Sequence, residues 1–127
     1  MRLTISLTAV ALAVCMASTP VAAKTRAFSL NKTSWTYVDP DQKVPARESI
    51  DAKGNYIENA VSGKHIDHGT MVMKGSKACF TSAMNSDGEM CWTTKPTKVG
   101  HAMKTVSDKG QKLTVTRVAY RPISMPK

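Results

Sequence analysis

Two cysteines, Cys79 and Cys91, flank a turn-like segment in the stretch KACFTSAMNSDGEMCW, residues 77–92. Two thiolates could start a metal site, but a closed one needs about two further ligands at short spacing. A redox pair wants its thiols two residues apart at a helix start, and these stand twelve apart in strand-like sequence. A disulfide is what remains for two cysteines in an oxidising compartment. A turn centred on Ser86-Asp87 would pair Met84 with Glu89 and set Cys91 opposite Ser82. A direct bridge therefore requires a bulge, or a loop displaced towards Met84.

A second cluster is His65-Ile66-Asp67-His68. On a regular strand His65 and Asp67 share one face and His68 takes the other. Met71-x-Met73 and His101-x-Met103 add thioether and imidazole ligands of the kind that suit Cu(I). A periplasmic Cu(I) or Zn(II) carrier using His65, His68, Met71, Met73 or His101 is thus an alternative. The plainer expectation is that methionine fills core gaps and the histidines end a solvated strand, with no metal or other cofactor. Catalysis finds little support. No G-x-S-x-G elbow occurs. The nine acids fall mostly in turns, and nothing in the sequence brings together Glu48, Glu58 and Glu89, the glutamates within expected strands. No enzyme is expected.

The compartment comes from the N-terminus. Arg2 precedes an apolar run, Leu3 to Met16, which Ser18-Thr19-Pro20 breaks before Val21-Ala22-Ala23. That is the layout of a secretory signal cleaved between Ala23 and Lys24. The run is short of the roughly 20 residues a membrane helix needs. Cys15, preceded by Val14, leaves lipidation as an alternative. Removal of 1–23 leaves one domain, 24–127, in the periplasm or secreted, and its net charge falls from +9 to +8 as Arg2 departs. The lysines are scattered, with no aromatic stacking motif among them, so nucleic acid is not expected. An anionic envelope component is the partner the charge suggests.

The elements that must position these residues are short strands. Asp39-Pro40-Asp41, Asp51-Ala52-Lys53-Gly54, Ser62-Gly63, Lys74-Gly75-Ser76, Asn85-Ser86-Asp87-Gly88, Lys95-Pro96 and Ser107-Asp108-Lys109-Gly110 supply turn chemistry at short intervals. The runs between them are rich in Thr, Val, aromatics and Met. They predict eight strands near 33–38, 44–50, 54–60, 65–74, 77–83, 89–94, 100–106 and 112–120, after an extended lead-in at 24–32 and before an irregular tail. The expected fold is all-β, a small antiparallel up-and-down barrel, with a two-sheet sandwich as the alternative. Trp35 with Tyr37, Phe80 with Met84, Met90 with Trp92, and Leu113 with Val115 are the expected core faces. The alternation in the last strand suggests a bulge near Arg117, and Gly69 a local gap in the fourth.

The skeleton Asp51-x-x-Gly54-x-Tyr56, Gly63-Lys64, Asp67-x-Gly69-Thr70, Lys77-x-Cys79-Phe80 and Cys91-Trp92 resembles a group of small exported, often lipoprotein-like β-meander proteins of alphaproteobacteria, sphingomonads in particular. The chain departs from them at Met71, where an aromatic would fall, and in its basic charge. The resemblance implies export, a β-meander and a Cys79–Cys91 pair, and brings no activity with it. The resulting expectation is a monomeric, non-catalytic envelope protein that binds an anionic partner or a small ligand. An inhibitor of an envelope hydrolase is a further alternative.

Overall fold

The computed structural model describes residues 15–20 and 27–127. Eight strands follow one another: β1 (Thr33–Val38), β2 (Pro45–Ile50), β3 (Asn55–Ala60), β4 (His65–Lys74), β5 (Lys77–Ser82), β6 (Glu89–Thr93), β7 (Ala102–Val106) and β8 (Lys112–Val118). No helix occurs among the described residues, and so none is long and apolar enough to cross a membrane. The cleavage point between Ala23 and Lys24 lies outside the described residues. Cys15 lies within them, exposed and free.

All eight strands are antiparallel and form one sheet in the order β6-β5-β4-β3-β2-β1-β8-β7. The sheet curls into a nearly closed barrel. In a simple meander the seam falls between the first and last strands, but β1 and β8 are laddered here, Trp35 opposite Arg117. The seam falls instead between the sequence neighbours β6 and β7. It is bridged by Trp92 opposite Ser107, by Asp108 N donating to Cys91 O, and by Thr105 Oγ1 donating to Thr93 O at 2.6 Å.

Turn chemistry sets the hairpins. Asp51 accepts from Lys53 N and Asn55 N, and Gly54 takes φ +87 where a Cβ would stand 2.3 Å from Met71 O. Side chains alternate inwards and outwards. Leu30, Trp35, Ile50, Tyr56, Met71, Ala78, Met103 and Val115 are buried together inside. Leu30 belongs to the lead-in, which therefore plugs one end of the barrel. At the same end Arg117 keeps the inward parity of Leu113 and Val115, in unbroken register with β1 and with β7, whose Met103 pairs with Val115. The bulge expected near Arg117 is absent, because the guanidinium has an inward role: its Nη1 donates to Thr97 O at 2.7 Å. Met84, expected in the core beside Phe80, lies exposed in the β5–β6 loop. The tail is irregular but tethered. Arg121 N donates to Ser34 Oγ and Ile123 N to Ser49 Oγ across the outside of β1 and β2.

The cysteines meet directly. Cys79 pairs with Cys91, Phe80 with Met90 and Thr81 with Glu89, so the loop is centred nearer Asn85 than Ser86-Asp87. The displacement puts the two Cα atoms 3.9 Å apart, and the disulfide forms on the outer face, away from Phe80 and Trp92.

Candidate functional site

The inward face carries more than apolar groups. In β2, Ala46, Glu48 and Ile50 share one parity; in β3, Tyr56, Glu58 and Ala60; in β4, Asp67, Gly69 and Met71. Register then aligns Trp35 with Glu48, Glu48 with Glu58, and Glu58 with Asp67. Three carboxylates stand side by side across three adjacent strands, inside the barrel. Like charges directly opposite one another in a sheet are destabilising, and here burial compounds the effect.

These groups line a cavity of about 230 Å³, room for roughly eight waters or one small organic molecule. It opens at the end formed by the β1–β2 and β5–β6 loops, where Asp39, Asp41 and Asp87 stand at the rim. Six of the nine acidic residues of a +9 chain thus face one cavity. Among the described residues no lysine, arginine or histidine lines it. Five of the seven aromatic residues do: Trp35, Tyr37, Tyr56, Phe80 and Trp92. Tyr56 and Phe80 meet edge to face at 5.2 Å.

Hydrogen bonds satisfy part of this set. Tyr37 Oη donates to Glu48 Oε2 at 3.0 Å. Asp67 accepts from Tyr56 Oη at 2.8 Å and from Ser82 Oγ at 2.5 Å. Asp39 spends Oδ1 on Asp41 N and Gln42 N in its own turn. Glu58 is 7% exposed, and its Oε1 has no partner. An unpaired buried acceptor costs free energy, so this atom is where a donor from outside would be rewarded.

Proton affinity follows from the same geometry. Burial, then the charges of Glu48 and Asp39, push Glu58 up to about 9. Burial raises Glu48 to about 7, with the Asp67 charge adding to it and the Tyr37 hydrogen bond opposing it. Tyr56 is raised by burial and by Asp67, and Tyr37 by burial and by both glutamates. Near neutral pH Glu58 therefore keeps its proton.

The metal candidates do not assemble into one site. A bulge at Ile66 places Asn59 opposite His65 while Glu58 stays opposite Asp67. It reverses the face of His65, so His65 and His68 lie together outside and Asp67 alone points in. Met71 and Met73 belong to the core side. His101 is exposed just before β7. Among the described residues the one trio of His, Cys, Asp or Glu ligands close enough to share an ion is Cys79, Cys91 and Glu89, and both its thiols are in the disulfide.

The sequence did carry a signal for the acidic tier. In each of β2, β3 and β4 a carboxylate shares parity with apolar or small residues. What it lacked was the register that sets the three abreast. Comparison of the chain with known protein families, with curated proteins and with solved structures gives no match.

Proposed function

We propose that this chain is a non-catalytic, exported binding barrel that takes a small organic cation, an amine or amidine on an aromatic or apolar body, into its acidic cup. The observation that carries this reading is the unpartnered, buried Glu58 Oε1, set between Glu48 and Asp67 in a cavity lined by no basic residue among those described. A cationic head would answer three carboxylates at once and relieve their repulsion. The aromatic walls would hold the body of the ligand and favour its charge through their faces. Binding rather than turnover is preferred on geometry. Glu48 and Glu58 sit side by side on neighbouring strands, so both address one end of a guest instead of flanking a bond to be broken. Lys74 and Lys77 are exposed and already paired with Glu89 and Asp108.

The test uses the chain's own reporters, since both of its tryptophans line the cavity. Benzylamine and benzamidine are titrated against tryptophan fluorescence at pH 8, beside benzyl alcohol and phenylacetate. Saturable binding of the cations is expected, at least tenfold tighter than of the alcohol, with no binding of the acid. Glu58→Gln and Glu48→Gln should weaken it. Equal binding of phenylacetate, or no response to either cation at millimolar concentration, overturns the reading.

A further inference from the structure

The bulge at Ile66 leaves the second polar cluster unexplained by the cavity. It turns His65 outwards, beside His68 and opposite Asn59. His65 Nδ1 lies 2.7 Å from Asn59 Oδ1. Asn Oδ1 can only accept, so His65 carries its proton on Nδ1 and presents Nε2 as a lone pair. That lone pair faces His68 Nδ1 at 3.0 Å. The rings are 5.2 Å apart and tilted by 37°, and both residues are half-buried on the barrel wall.

We propose that His65 Nε2 and His68 Nδ1 form a two-imidazole site for a divalent late first-row ion, Cu(II) above Ni(II), on the outer face of β4. Three features support it. First, an imidazole that donates its other ring N–H to an oxygen is the arrangement in which a histidine is held ready for a metal, with tautomer and orientation already fixed. Asn59 supplies that oxygen. Second, the separation of the two nitrogens matches the bite of a chelate. With both bonds near 2.0 Å, a 3.0 Å separation subtends about 95° at the ion, whereas a tetrahedral centre would spread the pair to about 3.3 Å. A right-angled pair of nitrogens suits the tetragonal ions, Cu(II) and Ni(II), better than zinc. Third, the strand is built for the pairing. Without the extra residue, His65 would point into the barrel with Asp67.

The exchange balances simply. The ion takes the place of the proton that His68 Nδ1 shares with His65 Nε2. That proton moves through solvent to His68 Nε2, and both rings stay neutral. Water fills the remaining positions. Met71 and Met73 are on the opposite face of the sheet and take no part, so the site is not the thioether set that Cu(I) would prefer.

The test uses the full chain without an affinity tag, its disulfide intact. Cu(II) is titrated with calorimetry and electron paramagnetic resonance. One ion per chain is expected at micromolar concentration, with superhyperfine splitting from two nitrogens. His65→Gln or His68→Gln should weaken binding at least tenfold and leave at most one nitrogen from this pair. Asn59→Ala should weaken it less, and His101→Gln not at all. Melting curves confirm that each variant is folded, and the conservative glutamines keep the wall polar. Unchanged Cu(II) affinity in the His65→Gln/His68→Gln double variant, or no stoichiometric uptake by the wild type, overturns the proposal. So does a spectrum lost equally with His101→Gln.

Discussion

The two ends of the barrel interior are built on opposite terms. At the floor, polar atoms are fewer; Arg117 Nε lacks a partner, and others are answered. Trp35 Nε1 donates to Thr33 Oγ1 at 2.7 Å, and Thr33 Oγ1 in turn donates to Leu30 O. Leu30, Ile50, Met71, Met103 and Val115 pack around the indole. In the cup above, three carboxylates stand abreast and one of their oxygens is unanswered. The floor stabilises the fold, while the cup costs stability. A domain of this size has only about 5–15 kcal/mol in hand, so an uncompensated tier of buried acids persists only where the floor and the disulfide can offset it.

The largest effect should come from the floor. Trp35 is 2% exposed and central to the packing. Trp35→Ala removes it and leaves a cavity, at a cost of about 3–5 kcal/mol. Its thermal transition should drop steeply or vanish, a change that circular dichroism would read. If Trp35→Ala melted within a few degrees of wild type, the division into supporting floor and costly cup would be broken.

The cup should respond in the opposite direction. In the unfolded chain Glu58 ionises near 4.5; in the barrel it holds its proton to about 9. Between those values the folded state binds more protons than the unfolded one, so stability falls as pH rises across that window. Glu48 adds to the fall between 4.5 and about 7. Below pH 4.5 neither contributes. The melting temperature should therefore be higher at pH 5 than at pH 8.5, against the usual acid sensitivity of paired carboxylates. Glu58→Gln, which keeps the shape and cannot ionise in either state, should raise it at pH 8.5 by on the order of 5 °C and flatten the profile. A melting temperature that climbs from pH 5 to 8.5 in the wild type would show that the tier is fully ionised and answered.

This contrast also marks where the sequence was readable. The strands follow from turn chemistry and short alternating runs, and the eight expected elements differ from the observed ones by at most two residues at an end. Disulfide partners were legible because Cys79 and Cys91 flank a single turn in strand-like sequence. Leu30 was not: a plug from an irregular segment obeys no periodicity. The acidic tier escaped for a different reason. Glu48 and Glu58 are polar, and polarity on a strand ordinarily means outward; only alignment with Ala46 and Ile50, or Tyr56 and Ala60, reverses that. His65 illustrates the converse, since one unpaired residue, Ile66, changed its face. Parity is local, but abreast placement depends on register, and register is fixed by bulges and loop lengths that the sequence signals faintly.

The smallest effect belongs to a charge of the other kind, outside the barrel. Lys74 Nζ lies 2.7 Å from Glu89 Oε1, with side chains 58% and 38% exposed. Water and salt screen such a pair, and holding two long side chains together costs entropy. Lys74→Ala should change stability by less than about 0.5 kcal/mol and leave the pH profile as it was. One substitution on the wall and one in the cup then give two different answers, although each removes a single ionisable group. A wall substitution that moved the melting temperature as far as Glu58→Gln would mean that overall charge, through long-range repulsion in a +9 chain, governs stability. The side-by-side placement of Glu48, Glu58 and Asp67 would then lose its special standing. Repeating both measurements in high salt separates the two causes, because screening acts on the exposed pair and on long-range repulsion far more than on the buried Glu58 carboxyl.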